Sequence, residues 1–462
     1  MAKPWATLGV DLHLEPAGSS GLRRGLTDAL RDAVRTGRLA PGTRLPSSRS
    51  LAADLGIARN TVAEAYADLV AEGWLTARQG SGTRVAERAV PQPAAAAPRR
   101  RAPGRPAYSL VAGIPDLASF PRAEWLKAAR RALTGAPFQA LGYGDPRGRP
   151  ELRAALAGYL ARARGVRTDP EAIVVTAGFS HALRILGTVL RARGVRTVAV
   201  ESYGLDVHRA LLRDAGLATP ALPYDELGTD TRPLDGEGAV LLTAAHQFPM
   251  GTALHPDRRT AVVDWARRTG GLVLEDDYDG EFRYDRQPVG ALQGLDPDRV
   301  VHLGTASKSL APGLRLGWMV LPPSLVEEAT AAKGHADTVG VLDQLTLAEF
   351  MASGAYDRHV RAARLRYRRR RDALAAAVAD RAPGVRVTGI AAGLHAVLRL
   401  PAGTEQAVVQ AAAWQGLALH GLSLHRHPGA ATAPLDALVV GYGTPPDSAW
   451  TGALEALCRV LP

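Results

Sequence analysis

At 462 residues with a formal net charge of +11, the chain is too long for one ordinary domain, and two or three are expected. Its single cysteine, Cys458, excludes an internal disulfide framework and suits a reducing compartment. No secretory leader opens it and no run reaches the length of a membrane span, so a cytoplasmic protein without a membrane partner is expected.

The basic excess lies early. Residues 1–107 hold 16 Lys+Arg and 9 Asp+Glu, a net of +7, whereas the other 355 hold 40 and 36, a net of +4. A nucleic-acid partner for the first quarter follows. There "GLRRGLTDALRDAVRTGRL" spaces Leu22, Leu26, Leu30 and Val34 four apart, one apolar helical stripe. "PGTRLPSS" breaks the chain, and "SRSLAADLG" predicts a short helix capped by Ser47 or Ser48 and followed by a tight turn at Gly56. A second helix, "RNTVAEAYADLVAEG", stops at Gly73, and "WLTARQGSGTRVAE" reads as two short strands around a Gly-Ser-Gly turn.

Helix, tight turn, helix and two-stranded wing make a winged helix-turn-helix, whose partner is double-stranded operator DNA. Its second helix begins with Arg59, Asn60 and Thr61, at the end that enters the major groove. Arg44, Ser47 and Arg49 flank the first and can hold phosphates; Gly80, Ser81 and Gly82 can lie along the backbone or the minor groove. On these residues the segment 21–85 closely resembles the DNA-binding domain of the GntR family. One departure is Ala58, where that family usually has a capping serine, a loss of about 1 kcal/mol.

"AERAVPQPAAAAPRRRAPGRPAY" has five prolines, an alanine run and the Arg99–Arg101 cluster, with no apolar periodicity. It predicts an extended, semi-rigid linker. The expected boundaries are therefore a DNA-binding domain over 1–85, a Pro/Ala/Arg-rich linker over 86–107 and an effector domain over 108–462. In that last part the apolar runs "AIVVTAG", "TVAVE", "AVLLTAA", "LVLEDD" and "VVHLGT" alternate with helical patterns. This is the signature of a large α/β domain on a mostly parallel sheet.

Lys308, in "GTASKSLAPGLRLGW", is one of four lysines against 52 arginines. A plain positive charge in this chain would be arginine; lysine alone can lose its proton and attack a carbonyl as an amine. The electrophile that fits the surrounding residues is pyridoxal phosphate. "LVLEDDYDGEFRY" ends a strand with Asp276 and Tyr278 two apart, on one side. A carboxylate there pairs with a protonated pyridine nitrogen and a phenol beside it with the ring's 3-hydroxyl oxygen. "VVTAGFSHAL" is a strand, a turn and a helix start, so the backbone N–H groups of Gly178, Phe179 and Ser180 can cradle the phosphate. Thr305 and Ser307 add hydroxyls and Arg315 a guanidinium fork.

These motifs, with "YGDPRGRPELRAALAGYLARARGV" and "TAAHQFPMGTALHPDRR", make residues 108–462 resemble the fold-type I, aspartate-aminotransferase-like domain, and the whole chain the MocR subfamily of GntR regulators. The resemblance implies Lys308 as the Schiff-base lysine, Asp276 on the pyridine nitrogen and Tyr278 on the 3-hydroxyl oxygen. It also implies a homodimer in which Tyr143 reaches the partner's cofactor phosphate. His246 and Gln247 take the region where aminotransferases carry an asparagine near the 3-hydroxyl oxygen.

Two departures bear on activity. Where related domains have Glu-x-Pro-x-Tyr, this chain has "VESYGLDVHR", so either Tyr203 stacks on the ring or Leu205 replaces the aromatic. The arginine that clamps a substrate carboxylate near the carboxy-terminal end has no counterpart in "LDALVVGYGTP", although Arg399 and Arg426 lie upstream. A regulator that senses pyridoxal phosphate, or an amine or amino acid that displaces Lys308 from it, is expected rather than efficient turnover; the alternative is an active aminotransferase with an accessory DNA-binding module. "RAARLRYRRRRDAL" (361–374) reads as the solvated face of a helix, and His420, His425 and His427 as a loop with no metal set.

Overall fold

A computed structural model describes residues 21–78, 82–87, 106–284, 289–334 and 339–462. It divides the chain into two compact units, Met1–Gly104 and Arg105–Pro462. Most of the expected linker, including Arg99–Arg101, and Gly80 and Ser81 of the expected wing turn lie outside the described residues.

In the first unit, helices α1 (Leu22–Arg35), α2 (Ser48–Leu55) and α3 (Arg59–Ala71) precede strands β1 (Leu75–Arg78) and β2 (Gly82–Val85). The strands pair antiparallel, Leu75 opposite Val85. Leu26, Leu30 and Val34 of α1 meet Leu51, Val62, Leu69 and Leu75 in the core. Leu22, the first residue of α1, does not join them and is exposed. Ser47 caps α2, its hydroxyl accepting from Ser50 N–H at 3.1 Å, and Gly56 ends the helix in the left-handed region at φ 65°.

The second unit is built on a seven-stranded sheet. Its strands are β3 (Ile173–Thr176), β4 (Val198–Glu201), β5 (Ala221–Leu222), β6 (Ala239–Leu242), β7 (Leu272–Asp276), β8 (Val300–Thr305) and β9 (Gly317–Val320). The spatial order is β3-β9-β8-β7-β6-β4-β5. Only β9 runs against its neighbours, β8 and β3; the other pairings are parallel. All five expected strands belong to this sheet. Apart from Ala221, every strand residue is buried, as a sheet covered on both faces requires. The carboxyl ends of β3, β4, β7 and β8 open on one edge, where ligands of such sheets bind.

A smaller four-stranded sheet follows: β10 (Arg386–Thr388), β11 (Ala396–Arg399), β12 (His420–Gly421) and β13 (Ala437–Val440), in the order β10-β11-β13-β12. The helix Ala355–Arg381 packs against it; Arg361, Arg368 and Arg369 are exposed on its expected solvated face, and Arg370 departs from it. Arg370 shares the inner face with Ala363, Tyr367 and Leu374, is buried, and pairs with Asp116 Oδ2 at 3.0 Å; Arg364 donates to Glu281 O at 2.6 Å. Among the described residues no helix is long and apolar enough to cross a membrane.

Candidate cofactor site and nucleic-acid interface

A cavity of about 350 Å³ opens where the strand ends converge. β8 delivers Thr305, and Lys308 follows three residues on; its Nζ donates to Gly113 O at 2.6 Å. Burial pulls the lysine below its ordinary range, and the carboxylates of Asp276 and Asp279 oppose that pull. The neighbouring strand β7 ends at Asp276, which also lines the cavity. Burial drives its carboxyl well above the usual range, against the Lys308 charge, which lowers it. Asp276 Oδ1 is buried with no hydrogen-bond partner, which leaves a strong acceptor free for a donor from the cavity. Tyr278 also lines the cavity, and burial with the nearby Asp279 and Asp276 keeps its phenol protonated.

The anion end lies at the start of the helix α4 (Phe179–Ala192), whose N-cap Gly178 supplies no side chain. Phe179 and Ser180 line the cavity beside Thr305, Ser307 and Arg315. Ser307 N–H donates to Thr305 Oγ1 at 3.1 Å. Arg315 is the one described non-glycine residue at positive φ, 53°, and its Nη2 donates to Ala177 O at 2.6 Å. A Cβ on Gly178 would lie 3.1 Å from that guanidinium. Glycine there, at φ 78°, lets the arginine cross the turn at contact distance.

The remaining expected residues sort clearly. Tyr203 and Leu205 both border the cavity, but the Tyr203 ring is fully buried in an apolar cluster with Met250, Val397 and Val439. His246 is not on the wall. It stands behind Tyr278, whose hydroxyl lies 3.1 Å from His246 Nδ1, and Phe248 takes the lining position. Gln247 bonds Thr229 and Thr252 instead. Tyr143 is fully exposed, near Gly142, Gly144 and Arg149, outside this cavity. Arg399 and Arg426 do not line it either; Arg426 Nη2 donates to Ala430 O and Thr432 O, each at 2.8 Å.

Sequence reasoning missed Glu201, His208, Arg209 and Phe248 on the wall. His208 and Arg209 sit in the first turns of the helix α5 (Asp206–Asp214). The His208 ring lies 4.5 Å from that of Phe179, and desolvation, with the charges of Lys308 and Arg209, takes its imidazole down to about 3. The only signal was "LDVHR", a histidine one helical turn past Leu205.

In the first unit, Arg23 holds Asp68 through two bonds, at 2.9 and 2.7 Å, and Arg31 pairs with Glu72 at 2.7 Å. The acidic side of α3 is thus tied to α1. Arg44, Arg49, Arg59 and Asn60 are exposed, and these three arginines have no carboxylate partner among the described residues. Thr61 is half-buried. The Arg44 guanidinium lies against the wing, 3.2 Å from where a Cβ on Gly82 would stand. Ser47 is exposed but caps α2, so its hydroxyl is partly occupied.

Comparison with known proteins follows this division. Residues 22–85 match the family of bacterial regulatory proteins, gntR family, and residues 109–426 match aminotransferase class I and II. The chain is 34% identical over 438 residues, 94% of each protein, to the HTH-type pyridoxine biosynthesis transcriptional regulator PdxR of Corynebacterium glutamicum. It is 34% identical over 380 residues, 76% of this chain and 75% of the other, to the probable rhizopine catabolism regulatory protein MocR of Rhizobium meliloti. The chain belongs to the MocR-type regulators of the GntR family. Like its MocR-type relatives it is an HTH-type transcriptional regulator carrying an aminotransferase-like domain. That domain also matches the kynurenine aminotransferase of Pyrococcus horikoshii, solved in complex with PMP, with a TM-score of 0.68 and 25% identity over 76% of this chain and 90% of that one. The class I and II aminotransferase fold is that of pyridoxal-phosphate-dependent proteins.

Proposed function

We propose that this regulator binds pyridoxal phosphate in the cavity around Lys308 and that occupancy, by the cofactor or by an amine or amino acid that competes with Lys308 for it, changes its affinity for operator DNA. The observation that carries the reading is Asp276 Oδ1, a buried carboxyl oxygen with no partner, on a residue that lines the cavity. Lys308 would hold the aldehyde carbon, Asp276 the ring nitrogen and Tyr278 the 3-hydroxyl oxygen. Arg315, Ser307, Thr305 and the amide groups at Gly178, Phe179 and Ser180 would hold the phosphate. When bound, the protonated ring supplies an electron sink.

The protein's own residues do the rest. Burial lowers the proton affinity of Lys308, which favours the free amine that attack on a carbonyl needs. The Asp276 carboxyl takes up its charge when a cation meets it. Tyr143, fully exposed, would complete the phosphate site of a second copy, and a homodimer suits two DNA half-sites. The stretch expected to carry a substrate-carboxylate clamp, residues 435–445, holds no arginine and includes β13, whose residues are all apolar and buried, which supports sensing over turnover. Likeness to a regulator of pyridoxine biosynthesis supports the cofactor itself as the signal. A cytoplasmic site of action fits DNA binding.

The test is the absorption spectrum of the full chain titrated with pyridoxal phosphate, wild type beside Lys308→Ala, with binding to a DNA fragment selected from a random pool measured in parallel. A visible band in wild type alone, with altered DNA affinity, is expected. No band in wild type sinks the cofactor reading; a band without any DNA effect sinks the switch.

A further inference from the structure

Behind Tyr278, three segments far apart in the chain bury one polar cluster. His246 follows β6, Asp279 follows β7, and Gly393 and His395 precede β11; the three ionisable side chains are at most 3% exposed. His246 Nδ1 lies 2.8 Å from Asp279 Oδ2 and 3.1 Å from Tyr278 Oη. The imidazole and phenol rings stack at 6.2 Å with a 27° tilt. A Cβ at position 393 would fall inside both the His246 ring and the Asp279 carboxylate, so only glycine lets the backbone close over the pair. His395 Nε2 is spent on Pro249 O at 2.9 Å. Although donor atoms of His246, Asp279 and His395 lie within 4.8 Å of one another, their contacts are those of a hydrogen-bonded cluster.

The tautomer follows from what is unpaired. His246 Nε2 is buried without a partner. A proton there would leave an orphaned N–H and turn the Nδ1 lone pair toward a carboxylate, two penalties at once. A proton on Nδ1 satisfies Asp279 and leaves only a lone pair unmet. The imidazole then offers the phenol no acceptor, and within the cluster its hydrogen goes to Asp279, which already takes the His246 N–H. A ring oxygen in the cavity competes for the Tyr278 hydrogen with a carboxylate that is partly satisfied.

We propose that the His246–Asp279 pair is a positioning device that holds the Tyr278 hydroxyl turned as a hydrogen-bond donor toward the ring oxygen of the bound cofactor. This rests on the cofactor reading above. Donation stabilises the anionic ring oxygen, so the nitrogen linked to Lys308 gives up its proton at lower pH. The charged and titratable groups facing the phenol are Asp276 and Asp279 on its own segment, His246, and Tyr442 after β13. Lys308 itself faces Asp276 and Asp279.

The experiment is a pH titration of the visible band of the pyridoxal-phosphate-loaded full chain. Tyr278→Phe raises the midpoint. His246→Phe, which keeps the ring volume, raises it by about half to one pH unit, threefold to tenfold in proton affinity. His246→Asn, whose amide N–H stands in for Nδ1–H, restores the wild-type midpoint. In the Tyr278→Phe background His246→Phe adds nothing. A wild-type midpoint in His246→Phe, or additivity with Tyr278→Phe, overturns the device. Should His246→Phe not fold, Asp279→Asn alone and with Tyr278→Phe makes the same cycle, and additivity there overturns it equally. A wild type with no visible band overturns the cofactor reading instead, a result distinct from any pattern among loaded variants.

Discussion

Glu201 makes stability depend on pH in a way that can be worked out in advance. It ends β4 on the cavity wall, 8% exposed, with only neutral donors around it: Thr229 Oγ1 at 3.2 Å, the Thr243 N–H at 3.3 Å and the Thr243 hydroxyl. Desolvation outweighs these bonds and raises the carboxyl from 4.5 to about 7. The folded state therefore holds this proton more tightly than the unfolded chain does. The stability it contributes is fully present below about pH 4.5 and is lost as pH rises through about 7. A separation of about 2.5 pH units corresponds to about 3.4 kcal/mol in all, of which about 2.5 kcal/mol is lost between about pH 5 and about pH 8. Glu201→Gln keeps an acceptor and removes the ionisation. Native-state hydrogen exchange of peptides from β4 and β6, at both pH values, reads this unit alone. The variant should lose about 2.5 kcal/mol less than wild type over that interval. Glu281, also raised to about 7 by burial, slopes the same way in both proteins and cancels in the comparison. Equal slopes for the two proteins would refute the burial argument.

Arg164 holds Asp277 through Nε at 2.6 Å and Nη2 at 2.9 Å, both side chains 3% exposed. Arg164→Met strands a buried carboxylate beside Asp276 and should cost about 3–5 kcal/mol in urea denaturation, whereas Arg164→Met with Asp277→Leu should recover most of that. Ala58 has the extended backbone of an N-cap, φ −66° and ψ 137°, but no side chain to cap α3; Ala58→Ser should slow exchange in α3 by about 1 kcal/mol, and no change would mean that the first N–H groups of α3 already have partners.

What the sequence disclosed follows a physical pattern. Asp276, Tyr278, Thr305, Lys308 and the Gly178 turn were legible because each lies within a few residues of the carboxyl end of a buried strand, and Arg315 because it lies two residues before the amino end of antiparallel β9, on the same edge. In a parallel sheet those ends are neighbours whatever the intervening chain does. The winged helix-turn-helix was legible because its order is local. Residues placed by side-chain direction were not. His208 and Arg209 face the cavity only because of the phase at which α5 starts after Gly204. Phe248 takes the wall position expected for His246 or Gln247 through the path of the loop after β6. Arg370 turns inward because its carboxylate partner, Asp116, comes from a segment 254 residues away. The same distinction explains the arginine missing from β13. A clamp there would have to replace a residue packed among Val397, Met250 and Tyr203, and a guanidinium in that cluster would need a buried anion beside it. Val439 and Tyr203 share that one apolar cluster, so a charged side chain placed on β13 there would require changing its neighbours as well.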